Sequence, residues 1–133
     1  METENLYIRT VELPEATIKL RSDSIVYVLF KEGTTLDIPL QMRLLDAYND
    51  ICDGRKLPFL FDAMEHVSIT KEAKVNAIEI EAVAPVTASA IVARNLAYRL
   101  IAEFYLKINK PKTPFKIFKN EEDAVSWLRL FLY

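Results

Sequence analysis

The hydrophobic positions of this chain change period several times, and each change predicts a new element. Ala16 to Arg21 alternates, with Ile18 and Leu20 on one face, as in a half-buried strand. Ser22-Asp23-Ser24 has turn chemistry, and Ile25 to Phe30 is almost continuously apolar, so the two runs form an antiparallel hairpin. Leu40, Leu44, Ala47, Tyr48 and Ile51 then recur at helical spacing. Asp37 is the cap, Pro39 falls in the first turn, and Gly54 suits the left-handed position past the end.

Leu57 to Phe61 is short and apolar throughout, as in a strand covered on both faces. After a loop from Asp62 to Ile69, Thr70 caps a helix running to about Glu81, with Ala73, Ala77 and Ile80 on its buried side. Val86 to Val92 is a further buried strand. Arg94 to Ile108 is a helix with a charged ridge of Arg99, Glu103 and Lys107. Its wide apolar arc comprises Ala97, Leu100, Ile101, Phe104, Tyr105 and Ile108, extended by Tyr98 and Ala102. One reading of such an arc is deep burial. The other is a self-association face for a homodimer, with Tyr98, Ala102 and Tyr105 as its candidate residues. Phe115 to Phe118 is a last strand, and Asn120 caps a helix that buries Ala124, Val125, Trp127, Leu128 and Phe131.

Alternating strands and helices predict an α/β fold: a mixed sheet of roughly four to five strands with helices packed on it. Residues 1–15 form an N-terminal segment with one short candidate strand, Leu6 to Val11, and residues 16–133 form a single domain.

Composition narrows the function. Hydrophobic residues make up 51% and charged residues 27%, with a net charge of −2, which suits a folded domain without a basic field for nucleic acid. The single cysteine leaves no internal disulfide. The acidic start, Met1-Glu2-Thr3-Glu4-Asn5, is unlike a signal peptide, and no apolar run reaches a membrane-spanning length, so the expectation is a cytoplasmic protein without stable membrane insertion.

The order of elements resembles STAS-like domains, the group containing anti-sigma factor antagonists of the SpoIIAA type. The resemblance rests on Ile25-Val26-Tyr27-Val28-Leu29-Phe30, on Pro58-Phe59-Leu60-Phe61-Asp62 with Val67-Ser68-Ile69-Thr70, and on the tail from Lys107 to Leu128. That tail is similar to small STAS/SEC14-like bacterial proteins. The resemblance implies a mixed SpoIIAA-like sheet and a domain that acts by contact. In the antagonists a strand ending in Asp leads to an Asp-Ser-x-Gly turn whose serine is phosphorylated. Counted forward from Asp62, those positions hold Thr70, Lys71 and Ala73, so the phosphoacceptor is missing from its motif position.

Chemistry-bearing residues gather in one loop. Asp62, Glu65, His66, Ser68, Thr70 and Lys71 follow the carboxyl end of a central strand, where open α/β sheets place binding sites. They also precede a helix start, which attracts anions. The structural alternative is that Thr70 is a plain cap, Asp62 satisfies loop amides and the rest is solvated. The functional expectation is a partner- or anion-binding loop. Ser68, His66 and Asp62 make no catalytic triad by sequence proximity alone. Cys52, beside Asp53 at a helix end, reads as a packing residue. One histidine and scattered carboxylates lack metal-ligand spacing, and two isolated glycines cannot cradle phosphate, so no metal or cofactor is implied. The lysines at 107, 110, 112, 116 and 119 read as a solvated rim. The sequence therefore predicts a non-catalytic regulatory or protein-interaction module. The alternative, from the SEC14-like side of the resemblance, is a binding domain for a lipid or other small amphiphile.

Overall fold

A computed structural model describes residues 7–63, 66–108 and 110–132, without the side chains at 63, 101 and 104–108. The main sheet has six strands: β1 (Tyr7–Glu12), β2 (Ala16–Arg21), β3 (Val26–Phe30), β5 (Leu57–Ala63), β7 (Val86–Val92) and β8 (Phe115–Phe118), in that spatial order. β1, β2 and β3 are antiparallel neighbours, whereas β3, β5, β7 and β8 run parallel. A second, two-stranded sheet joins β4 (Thr35–Leu36) to β6 (Ser68–Ile69) in parallel. The helices are α1 (Ile38–Cys52), α2 (Lys71–Val83), α3 (Leu96–Ile108) and α4 (Glu121–Leu128), which passes into a 3-10 turn at Arg129–Phe131.

The mixed α/β architecture is the expected one, with a larger sheet. Tyr7–Glu12 pairs along β2 as an edge strand of the same sheet. Two further expectations change. The helix expected from Arg94 begins at Leu96, with the Asn95 carboxamide accepting from Ala97 N at 2.8 Å and leaving Arg94 in the connector. The loop expected from Asp62 to Ile69 is shorter, because β5 continues to Ala63 and Ser68–Ile69 pairs with β4.

The caps follow the sequence. Asp37 accepts from Leu40 N at 2.9 Å, Thr70 from Ala73 N at 3.1 Å and Asn120 from Asp123 N at 2.8 Å. α1 ends with Asp53 in the left-handed region (φ 51) and Gly54 next to it (φ 83). Ser24 turns the β2–β3 hairpin at φ 67.

The sheet separates two cores. On one face, Leu40, Leu44, Tyr48 and Ile51 of α1 pack on Ile18, Leu20, Val28 and Phe59. Tyr48 meets Phe59 edge-on with ring centroids 4.9 Å apart. On the other, Ala124, Val125 and Leu128 of α4 cover Tyr27, Leu60, Ala90 and Val92. α2 lies beside α1, where the buried Gln41 donates to Ala73 O at 2.8 Å and accepts from Asn76 at 2.9 Å. Ala73 is buried and Ala77 and Ile80 are half-buried, as their spacing predicts.

α3 departs from expectation. Its described apolar members Leu96, Ala97, Tyr98 and Leu100 are exposed and Ala102 is half-buried. Arg99, expected on the solvated ridge, is half-buried because its guanidinium turns back to Ala93 O at 3.3 Å and Arg94 O at 3.2 Å. The Tyr105 side chain lies outside the described residues.

Candidate functional site

The parallel strands end together, and their register builds the site. Leu29, Asp62 and Val92 lie side by side across β3, β5 and β7. Asp62 lies two residues beyond Leu60 and so shares the α4 face with it and Tyr27. Two residues beyond Val92, Arg94 returns over that face. Its guanidinium grips Asp62 in a fork, Nη1 to Oδ1 at 2.6 Å and Nη2 to Oδ2 at 3.1 Å. The Tyr27 hydroxyl donates to Oδ2 at 2.9 Å.

These partners explain how a carboxylate can sit at 3% exposure. A buried anion left unpaired is costly, whereas this one receives a phenol and both arms of a guanidinium. The Asp62 side chain is 5% exposed and that of Arg94 is 56% exposed, so the pair spans from core to water. Burial pushes the Tyr27 phenol well above its ordinary value, and donation to the Asp62 carboxylate pushes it further, so Tyr27 is a fixed donor. The hydrogen bond to Asp62 likewise raises Arg94, which stays cationic.

The loop residues divide into those that build the rim and those that face water. Asp62 was expected among the partner- or anion-binding residues; it is buried, and among the described residues it bonds to Tyr27 and Arg94. Thr70 is the cap of α2, and its N–H is bonded to Leu36 O at 3.0 Å. Ser68 N donates to Thr34 O at 2.9 Å, and its exposed hydroxyl lies 3.3 Å from that of Thr35. His66 is exposed and has a left-handed backbone (φ 65). Lys71 is exposed in the first turn of α2. Glu65 lies outside the described residues. A Ser68-His66-Asp62 triad fails on Asp62, whose carboxylate is already occupied beneath the surface.

Sequence reasoning missed Tyr27 and Arg94 as partners of Asp62. The signal was an Asp closing one apolar strand and an Arg two residues past the next. Strands that alternate with helices tend to be parallel neighbours whose ends align.

A second charged array fastens α4 to the β2–β3 hairpin. The buried Arg21 contacts Asp23 at 3.0 Å and Glu121 at 3.4 Å, and Arg129 reaches Asp23 at 3.2 Å. Burial pushes the Asp23 carboxyl up, but its hydrogen bonds to Arg21 and Arg129 outweigh this and hold it below the usual carboxylate value. Cys52 is fully buried against Pro85, and burial pushes its thiol up to about 11, which removes it as a nucleophile. Among the described residues, no three His, Cys, Asp or Glu side chains form a set able to hold a metal ion, and no helix is long and apolar enough to cross a membrane. An open groove lined by Arg55, Lys56, Val83 and Pro85 lies at the opposite end of the sheet.

The architecture defines a class. A solved structure of an uncharacterized protein from the DUF3478 family of Shewanella loihica PV-4, described as having a SpoIIAA-like fold, superposes with a TM-score of 0.57 at 13% identity, covering 91% of each chain. The chain thus has a SpoIIAA-like, STAS-like fold. Residues 18–132 match the family described as Domain of unknown function (DUF7793), and the chain belongs to that family. Comparison with curated proteins gives no match.

Proposed function

We propose that this protein is a non-catalytic, cytoplasmic regulatory module that binds a protein partner through the rim formed by His66, Ser68 and Lys71 at the start of α2. The observation that carries this reading is the way the rim is built. The exposed Ser68 and Lys71 flank a backbone held by β4–β6 pairing and by the Thr70 cap of α2, near the Tyr27–Asp62–Arg94 array at the end of β5. A preorganised polar rim suits recognition, since ordering it on binding costs little. Two groups able to do chemistry are taken up by the fold: Asp62 is bonded by Tyr27 and Arg94, and Cys52 is sealed in the core. The SpoIIAA-like fold supports the same reading by analogy.

Lys71 is the central contact in this proposal. It occupies the position that corresponds by count to the phosphorylated serine of the antagonists, and it is a basic side chain without a hydroxyl. Contact here is therefore not switched by phosphorylation of that position, and the partner presents an acidic group to it. The exposed Tyr98 and half-buried Ala102 of α3 form a second surface through which two copies associate.

Lys71→Glu tests the assignment. Tagged wild-type and variant proteins are used as baits in extracts of the native cell, and the retained proteins are compared by mass spectrometry. The expected result is loss of the stoichiometric partner with K71E and an unchanged thermal midpoint, because Lys71 is exposed. Equal retention by both baits rejects Lys71 as the contact.

A further inference from the structure

We infer that the Arg94–Asp62 fork is a latch, and that the first turn of α3 is a hinged element fastened to the end of the sheet by this polar contact. Three observations carry the inference. First, Arg94 belongs to neither element it joins: β7 ends at Val92 and α3 begins at Leu96. Its side chain is thus the fastening point of a three-residue connector. Second, Leu96, Ala97, Tyr98, Leu100 and Glu103 are exposed and Arg99 and Ala102 half-buried, so no described side chain of α3 is fully buried. The apolar grip that fixes α1 is missing from the described part of α3. Third, the fastening is asymmetric. Asp62 is buried and braced by Tyr27, whereas the Arg94 side chain is 56% exposed, so the moving half of the latch is the half that water reaches.

The hydrogen bonds at the base of α3 depend on this connector. Asn95, next to Arg94, accepts from Ala97 N at 2.8 Å, Tyr98 N at 3.4 Å and, through its carbonyl, Arg99 N at 3.0 Å. Arg99 closes the turn by donating to the carbonyls of Ala93 and Arg94. Releasing Arg94 frees the residue on which the cap is mounted, and the turn opens as a unit.

Amide hydrogen exchange read residue by residue tests this. Arg94→Gln alone leaves Asp62 buried with one partner and so weakens the whole fold. The informative protein is Asp62→Asn/Arg94→Gln, which removes the fork without stranding a charge. In it, the amides of Ala97, Tyr98 and Arg99 should exchange about tenfold faster or more, while those of Phe59 to Phe61 in β5 keep their wild-type protection, the signature of local opening. Arg94→Lys, which keeps the charge but loses the two-armed geometry, should give the same local acceleration to a smaller degree and serves alone if the double variant does not fold. Unchanged exchange at Ala97 to Arg99, or acceleration equal to that in β5, overturns the latch.

Discussion

α1 and α3 are both crossover helices between parallel neighbours of one sheet, and both carry broad apolar arcs, yet they are attached by different means. α1 buries Leu40, Leu44, Leu45, Ala47, Tyr48, Ile51 and Cys52 together with Gln41, whose carboxamide is spent on α2. α3 leaves Leu96, Tyr98 and Leu100 in water, and its base is tied to the sheet through Arg94. Periodicity therefore reports that a helix is amphipathic, and not which of its apolar residues are buried: among those described in the first turns of α3, none is. The helix with the apolar grip closes the core beneath β2, β3 and β5. The helix with the ionic fastening leads away from the end of the sheet where the candidate rim lies.

The largest expected effect is under α1. Phe59→Ala empties a fully buried site against Tyr48 and Phe61 and should lower stability by about 3–5 kcal/mol. Urea denaturation checks this, and a loss below about 1 kcal/mol would mean that the α1 core can collapse around the gap. A smaller effect belongs to the polar support. Tyr27→Phe deprives Asp62 of one donor while Arg94 remains, and should cost about 1–2 kcal/mol. The pH dependence has a definite sign. The folded-state pKa of Tyr27 is raised, so its contribution is complete below the ordinary phenol value of 10.0 and is lost as pH rises above it. Tyr27→Phe should therefore show a shallower alkaline loss of stability than wild type. The smallest effect is on α3: Leu100→Gln, at a site 57% exposed, should change stability by no more than about 0.5 kcal/mol. A loss as large as that in the Phe59 variant would erase the contrast between the two helices.

Much of the fold was legible because local chemistry and tertiary structure agree. Asp37, Thr70 and Asn120 cap the helices that their spacing predicts, and Val26–Phe30 and Leu57–Ala63 are strands because continuous apolar runs fit a sheet covered on both faces. β4 and β6 were not legible. Each is two residues long, so neither shows a period, and their pairing joins Thr35 to Ser68 across a long stretch of chain. The candidate loop was found by its concentration of polar residues, but the roles within it were not separated. Asp62 and Lys71 look equally polar in sequence, while register buries one and helix geometry exposes the other. Arg94 reads in the sequence as the first residue of a helix, because its partner is 32 residues away, beyond the range of any helical spacing.

Cys52 is the only cysteine in the chain, and that gives the molecule an internal clock. Its sulfur lies at full burial among α1, β5 and the Pro85 carbonyl, so alkylating reagents meet it only after the α1 core has come apart. The rate at which the thiol is labelled under native conditions therefore counts openings of the core, one adduct per molecule, without any engineered probe. Movements confined to the base of α3 leave that count untouched, so a chemical label distinguishes an opening of the α3 base from an opening of the α1 core.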